Sequence, residues 1–541
     1  MKILNISLAI FIIDILVTSF FLSAGDRFKS LVVAYSDQEF SIDPLHAYTT
    51  TEAQLFTAIY EGLVAYDPVT VNPVAGQAER WEVSRDGKVY TFFIRENANF
   101  SNGDSLQAID FQNSWLRMID PDEQAEYSFL FDVIKGAAAY RKGKISDLSK
   151  VGIRAISKKI FEIELEEPAE HFIRLLAHHS FTAIHPSYLK LAKWDIQSRL
   201  IGNGPFKVTA WSNGKLILDK NDYYWGVNDI HLDSIEVYFS DNKGDITRNF
   251  LKGEIHWANI WVQSENLGQH IVANRLFATT YFYFRTNNEP FNDKRVRIGL
   301  SLLLPWKRIR DSETLYFPSE TLVPELPQYP RIIGINEADV NRAFQLLKRA
   351  GFEKGLGLPS IEIIVIAGSS AERVAVLMEE AWEENLQVEV SVKALDYNSY
   401  MAEVKEGNFT LGHQTWVGDY ADPLTFLQMW VGSSNLNEAL FQDNRYDRAV
   451  NKAIYLEDSK RMQTLARAES ILLKEAVILP INNQVALNLV NKAAILGWHP
   501  NLLDIHPFRF LGIKKSSEPV EIAPKGVAGD EFKLNNLSLL N

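Results

Sequence analysis

Helical and strand patterns alternate between residues 337 and 411, and this alternation constrains the fold of the chain more than any other feature. The spacing of apolar residues predicts helices at 338–350, 371–386 and 397–404 and strands at 361–367, 388–394 and 409–411. Strands that are joined by helical crossovers form a largely parallel sheet. We therefore predict an α/β fold for this part of the chain.

The stretch that follows the last of these strands, residues 412–427, combines an aromatic residue with carboxylates in the sequence GHQTWVGDYADPLTFL. We expect a loop here, and ligands of parallel sheets bind beyond the carboxyl ends of the strands. A carboxylate at Asp419 beside the apolar ring of Trp416 would be poorly hydrated, so an ammonium group would gain from pairing with it. The alternative is an ordinary turn before Pro423, with Trp416 packed in the core.

The composition limits the partners and the chemistry of the chain. A length of 541 residues predicts about two to four domains. A net charge of −13 without any basic run argues against a nucleic-acid partner. The absence of cysteine excludes disulfides, thiolate metal sites and a lipid-modified amino-terminal Cys.

The first 25 residues have the pattern of a secretory signal peptide. Lys2 precedes an almost unbroken apolar run at 3–22, and small residues follow at 23–25. Asp14 interrupts the apolar run and leaves an uncleaved amino-terminal anchor as the alternative. We expect export to the periplasm without a lipid anchor.

The sequence contains none of the catalytic motifs that would indicate an enzyme. Glycine loops for nucleotide phosphates, the serine-hydrolase elbow and the zinc-protease pattern HExxH are absent. The rings of the adjacent residues His178 and His179 are expected to diverge, which disfavours a shared metal ion, and both histidines are expected to have structural or surface roles. We predict a protein that is not an enzyme and has no cofactor and no metal site.

Several short segments, in this order and at this spacing, resemble the extracytoplasmic oligopeptide-binding and dipeptide-binding proteins, which form solute-binding family 5 of the ABC importers. The segments are DP at 43–44, IYEGL at 59–63, AERW at 78–81, DGKVYTF at 86–92, SNGD at 101–104, NGPF at 203–206, YYW at 223–225, NEPFND at 288–293 and the stretch at 416–426. They cover the chain from about residue 30 to residue 512.

The resemblance implies a two-lobe periplasmic-binding-protein clamp of the class II type with an additional inserted domain. Its expected parts are a signal peptide at 1–25, lobe one at 26–60, 186–284 and 491–512, an inserted domain at 61–185, lobe two at 285–490 and an irregular tail at 513–541. Such a protein captures peptides in the cleft between its lobes and delivers them to the permease subunits of an ABC importer. We expect it to act as a monomer. The alternatives are a clamp for a sugar, a metal chelate or haem, and an envelope peptidase.

The resemblance also implies roles for particular residues. Asp419 is similar to the carboxylate that pairs with the α-ammonium group of a bound peptide, and Trp416 is similar to the aromatic residue just before it. Tyr127 matches an aromatic residue on the facing lobe. Retention of Asp419 favours ligands with a free amino end.

Four further positions complete the set of ligand-binding residues that the resemblance implies. Tyr397 lies where a Trp is common in a side-chain pocket, and Thr50 would offer main-chain groups to the ligand. Arg373 and His413 are the nearest candidates for a basic residue that holds the carboxylate end of the peptide.

Overall fold

The computed structural model describes residues 29–514, except for 39–40, 48, 170, 192–193, 195–199, 213, 260–264, 313–315 and 327. The predicted signal peptide at 1–25 and residues 515–541 of the predicted tail lie outside the described residues. Within the described part, no helix is both long enough and apolar enough to cross a bilayer.

The strands and α-helices are numbered separately in chain order. The strands are β1 Ser30–Tyr35, β2 Val64–Tyr66, β3 Pro73–Ala75, β4 Ala78–Val83, β5 Val89–Ile94, β6 Ile153–Ala155, β7 Ile160–Glu164, β8 Phe206–Ser212, β9 Lys215–Lys220, β10 Ser234–Phe239, β11 Trp257–Asn259, β12 Ile271–Phe284, β13 Phe317–Pro318, β14 Ile361–Ile366, β15 Val390–Leu395, β16 Leu411–Val417, β17 Ile478–Val490, β18 Ile495–Leu496 and β19 Gly512–Ile513. The α-helices are α1 Thr50–Ile59, α2 Ala108–Met118, α3 Ala137–Arg141, α4 Phe172–Leu175, α5 Lys243–Leu251, α6 Lys294–Leu302, α7 Trp306–Arg310, α8 Val340–Ala350, α9 Ser370–Asn385, α10 Tyr397–Glu406, α11 Leu424–Leu427, α12 Asn444–Ala453 and α13 Asp458–Lys474.

Two long strands connect the two halves of the largest sheet. The strand order in this sheet is β15-β14-β16-β12-β17-β11-β1-β10-β9-β8, and β13 pairs with β17. Strands β12 and β17 are antiparallel from the pair Ile271 and Leu489 to the pair Tyr283 and Ile478, with register shifts on β12 between Arg275 and Tyr281. Because such irregularities bend a strand, β12 and β17 form a curved connection between the halves.

The helices and strands predicted at 338–404 are confirmed, and helix caps explain several of their ends. Helix α8 begins after Asp339, whose side chain accepts a hydrogen bond from a main-chain N–H of the first turn, and it ends at Gly351 with φ of 99°. Helix α10 is capped in the same way by Asp396 and ends at Gly407 with φ of 76°. The left-handed conformation at both ends favours glycine over other residues.

The sheet in this region is parallel where the crossovers join it and antiparallel elsewhere. Strand β14 is parallel to β15 along its length and to β16 at its start. Strand β16 is antiparallel to β12 over all seven of its residues, from Leu411 to Val417. The prediction of a strand that ends at residue 411 and a loop from 412 was therefore wrong. Pairing with β12 outweighs the weak strand preference of Gly412 and its polar neighbours.

A separate four-stranded sheet, in the order β4-β5-β7-β6, lies within the range predicted for the inserted domain, 61–185. Helix α2 carries Trp115, which packs edge-on against Phe161 of β7 and Phe181. Strands β6 and β7 form an antiparallel pair in this sheet. One apolar face of this sheet is therefore covered by a helix.

Candidate ligand-binding site

A cavity of about 470 Å³ lies where several parts of the chain meet. Its wall includes residues of α1 and the segment that follows it, residues 127, 177–179 and 182 from the region of the small sheet, residues of α10 and β16, and residues 503, 505, 507 and 509 near the carboxyl end. Strand β16 supplies a continuous series of lining residues, 413–417, followed by Gly418 and Asp419. The cavity therefore runs along one strand of the large sheet.

Asp419 is an almost buried carboxylate in this wall. Its side chain is 11% exposed, and the Thr425 hydroxyl donates a hydrogen bond of 2.9 Å to Oδ2. The Tyr127 hydroxyl lies 3.4 Å from Oδ1, and Nε2 of His178 lies 3.5 Å from the same oxygen. No Lys or Arg of the described residues forms an ion pair with Asp419. This carboxylate is therefore largely desolvated and has no full countercharge.

Aromatic side chains surround Asp419. The Tyr127 ring lies 6.4 Å from the Trp416 ring and 4.5 Å from the His178 ring, measured between centroids. Trp416 belongs to β16 and is 4% exposed. The structure thus brings Asp419, Trp416 and Tyr127 together, although Tyr127 is almost 300 residues away from Asp419 in the chain.

The rings of His178 and His179 converge, with centroids 4.0 Å apart, and both residues line the cavity. The prediction that these rings diverge was wrong. His178 has an extended backbone and His179 begins a short 3₁₀ turn, so the side-chain directions of a regular helix or strand do not apply. Burial, followed by the proximity of His178, holds the pKa of His179 well below its usual value.

Beyond Leu411, one edge of β16 has no strand partner among the described residues. The Tyr400 hydroxyl donates to the His413 carbonyl and accepts from the His413 N–H, so both main-chain groups of His413 point away from β12. Because main-chain directions alternate along a strand, the N–H and C=O groups of Thr415 and Val417 point to the same side. In the described part of the chain, β14 is the neighbour on that side, and it pairs with β16 at Leu411 alone.

Three other predicted site residues line the cavity, and Arg373 does not. Thr50 is exposed at the first position of α1, and Tyr397 is half-buried at the first position of α10. His413 is 5% exposed, and burial lowers its pKa to about 4, so its ring is uncharged at neutral pH. Arg373 is an exposed residue of α9.

Glu438 is a lining residue that the sequence did not indicate. Its Oε2 accepts a hydrogen bond of 2.9 Å from the Tyr283 hydroxyl, and burial raises the pKa of its carboxyl group to about 7. A loop carries Glu438 to the cavity, and the Asn437 side chain holds this loop by bonds to both main-chain groups of Phe441. The sequence of this loop has no regular pattern that could have indicated a site.

Among the lining residues that the structure describes, Arg509 is the one with a permanently charged basic side chain. Its Nη1 lies 2.6 Å from Oε1 of Glu61, and the Tyr224 hydroxyl and the Trp225 indole N–H also donate to the Glu61 carboxylate. These contacts at Glu61 explain why the segments IYEGL at 59–63 and YYW at 223–225 occur in the same sequence. The pair also neutralises Arg509, so its charge is already matched before a ligand arrives.

A comparison with models of known protein families identifies the family of this chain. Residues 72–438, more than half of the chain, match the family model described as bacterial extracellular solute-binding proteins, family 5 Middle. The chain belongs to family 5. The two-lobe α/β clamp that the sequence predicted is thereby confirmed as the fold of this family 5 member.

Similar proteins include two from Bacillus subtilis strain 168. The oligopeptide-binding protein OppA is 28% identical over 480 residues, which cover 84% of this chain and 87% of OppA. The dipeptide-binding protein DppE is 28% identical over 479 residues, which cover 85% of this chain and 88% of DppE. A crystal structure of Haemophilus influenzae OppA in complex with RPPGFSPFR has a TM-score of 0.82 and 23% identity, covering 90% of this chain and 99% of that chain.

Proposed function

We propose that this family 5 protein is the extracytoplasmic solute-binding component of an ABC importer that captures peptides and delivers them to the membrane permease. Its relatives include proteins named for binding oligopeptides and dipeptides. The observation that carries the proposal is Asp419, a nearly buried carboxylate at the end of a strand edge that faces a cavity. These two features match the two parts that every linear peptide shares, an ammonium group and a regular main chain.

The peptide is expected to lie extended along β16 with its amino end at Asp419. Main-chain groups of Thr415 and Val417 would pair with the peptide main chain as in a sheet. Trp416, Tyr127 and the Asp419 carboxylate would enclose the ammonium group, which gains more from this pairing than it would in water. Affinity would then come mostly from groups that do not depend on the peptide sequence.

Closure of the cleft explains how such a site becomes dry. The Tyr66 hydroxyl donates a hydrogen bond of 3.1 Å to the Asp419 carbonyl, and Tyr127 and His178 both approach Oδ1 of its carboxylate. All three residues belong to the range predicted for the inserted domain, whereas Asp419 belongs to the range predicted for lobe two. A ligand that contacts both sides stabilises the closed form because the open form offers half of these contacts.

Removal of the carboxylate tests the proposal directly. We expect Asp419→Ala to weaken peptide binding by about 2 to 5 kcal/mol because the buried ammonium group would have no countercharge. Isothermal calorimetry with a defined peptide measures the change. Asp222→Ala is the control, because Asp222 is an exposed carboxylate that pairs with Lys207 outside the cavity. Equal affinity of Asp419→Ala and the unmodified protein would contradict the proposal.

Acetylation of the peptide amino end gives a second measurement that needs no variant. The acetylated peptide should bind as weakly to the unmodified protein as the free peptide binds to Asp419→Ala. A protein that takes a sugar, a metal chelate or haem would bind neither peptide form.

We propose that the protein performs no chemistry on its ligand and works as a monomer in the periplasm. Incubation of the purified protein with peptides, followed by mass spectrometry, should return the peptides intact. Specific cleavage products would instead support an envelope peptidase.

A further inference from the structure

Besides Asp419 and Glu61, the described wall of the cavity contains a further carboxylate, Glu438, in a different setting. Glu438 shares its part of the wall with Tyr397, Tyr400 and Met401 of α10 and with His413 of β16. We name these five residues the Glu438 pocket. Along β16, His413 precedes Asp419 by six positions, which corresponds to roughly 20 Å of extended chain. The pocket therefore lies away from the proposed site for the peptide amino end.

The Glu438 carboxylate has little compensation for its burial. The Tyr283 hydroxyl donates to Oε2, and no described side chain donates to Oε1. Arg285 is close, but its Nη1 donates to the main-chain carbonyl of Glu438 at 3.1 Å, and no described Lys or Arg forms an ion pair with the carboxylate. Glu438 is half-buried and lines the cavity, so its remaining surface faces the ligand space. The other buried glutamate of the wall, Glu61, is matched by Arg509.

The walls of the Glu438 pocket suit a long side chain with a positive end. Tyr397 and Tyr400 offer aromatic rings, which attract cations, and Met401 offers an adaptable apolar surface. A Lys or Arg side chain has an apolar stem that packs against such a surface and a charged tip that requires a partner. His413 is uncharged at neutral pH and does not repel a cation.

We propose that the Glu438 pocket is a specificity subsite for a Lys or Arg side chain of the bound peptide. The proposal rests on the proposed function, because it requires a peptide whose amino end lies at Asp419. The ligands that bind best would then carry two positive groups, the ammonium group at Asp419 and a basic side chain at Glu438. The ion pair at Glu438 would form in a desolvated place, where it gains more than at an exposed surface.

A lysine scan of the ligand tests this subsite. A single Lys is moved along an alanine peptide, and each peptide is compared by calorimetry with its norleucine counterpart, which has the same apolar stem without the charge. We expect Lys to be preferred at one position by on the order of tenfold. Glu438→Gln should abolish this preference, and Asp222→Ala should retain it.

The two proposals fail in different ways. If alanine and norleucine peptides bind but Lys is preferred at no position, or the preference persists in Glu438→Gln, the subsite is wrong and peptide capture stands. If none of the free peptides binds the unmodified protein, peptide capture itself is wrong. A thermal unfolding curve of Glu438→Gln that matches the unmodified protein excludes a folding defect as the cause of lost preference.

The number of protons released on binding is a further measurement. It would not differ between the Lys peptide and the norleucine peptide if Glu438 had only a structural role. Burial raises the pKa of Glu438 to about 7, so part of the population is protonated at neutral pH, and a cation in the pocket would lower this pKa and release protons. The binding enthalpy of the Lys peptide should then depend on the ionisation enthalpy of the buffer more than that of the norleucine peptide. Equal dependence for both peptides would contradict the proposal.

Other titratable and charged groups also face Glu438, namely Tyr281, Tyr283, Tyr397, Tyr400, His413 and Arg285. Burial lowers the pKa of His413 to about 4, so its ring stays uncharged at neutral pH. Burial, with the nearby Glu438 charge, raises the pKa of each of these tyrosines above its usual value. The difference between the two peptides in released protons therefore reports on Glu438, and Glu438→Gln should remove it.

Discussion

Asp419 and Asp422 lie three positions apart and have opposite electrostatic environments. Asp422 is 2% exposed and receives two hydrogen bonds from Arg461, of 2.6 and 2.8 Å. Burial alone would raise the pKa of Asp422, but Arg461 outweighs burial and lowers it. Asp419 has no such partner among the described residues. At the scale of single residues, the carboxylate without a full countercharge is the one available to a ligand.

This difference predicts that removal of the two carboxylates changes the free energy of unfolding by different amounts. We expect Asp422→Ala to lower the free energy of unfolding by about 3 to 5 kcal/mol, because the buried Arg461 would lose the carboxylate that forms its ion pair. Asp419→Ala should change the free energy of unfolding by less than about 1 kcal/mol, since a poorly compensated charge is removed. Urea unfolding measures both. A loss of stability in Asp419→Ala as large as in Asp422→Ala would indicate that Asp419 has a structural role.

At the scale of elements, the edge of β16 is the feature on which the proposed peptide capture depends. Periodicity predicted the existence of a strand here and the helices around it, but it placed the end of the strand at residue 411. Strand β16 continues to Val417 because β12, more than a hundred residues earlier in the chain, pairs with it. The edge is available because β14 stops pairing after Leu411. Neither cause can be deduced from the residues of 412–417 themselves.

If the peptide pairs with the edge of β16, its affinity should be sensitive to modification at every second peptide nitrogen. Methylation of one peptide nitrogen at a time should weaken binding by about 1 kcal/mol at alternate peptide positions, because alternate N–H groups face β16 in a sheet-like pair. Calorimetry with an N-methyl series of one peptide measures this pattern. Equal tolerance of methylation at every position would show that the peptide does not pair with the strand.

At the scale of the whole molecule, hydrogen bonds join the range predicted for the inserted domain to the range predicted for lobe two. The Arg141 guanidinium donates a hydrogen bond of 3.2 Å to the Ser433 carbonyl, and Nδ2 of Asn435 donates one of 3.0 Å to the Ala125 carbonyl. Strands β12 and β17 are the connection about which these parts could separate. An opening motion would break the contacts at the cleft and expose Asp419 to water.

The absence of cysteine makes this motion measurable without background. A variant with both Lys142→Cys and Ser433→Cys places two thiols beside the contact between Arg141 and Ser433. A short bifunctional maleimide should link them faster when a peptide is bound, because the peptide stabilises the closed form. The two single-cysteine variants are the controls. Equal rates with and without peptide would contradict closure on binding.

The sequence by itself determined the features that depend on local patterns. Apolar spacing and capping residues identified α8, α9, α10 and the strands between them, and short segments indicated the family to which the chain belongs. It also singled out Asp419, Trp416 and Tyr127, which the structure brings together.

The tertiary structure decided which side chains share an environment. It extended β16 to Val417, turned His178 and His179 toward the same cavity, and carried Glu438 to the pocket beside Tyr397 and Tyr400. It also left Arg373 outside the wall and made His413 neutral by burial. The physical reason is that strand pairing, desolvation and the presence of a countercharge depend on residues that are far apart in the chain, whereas helix and strand periodicity depends on near neighbours.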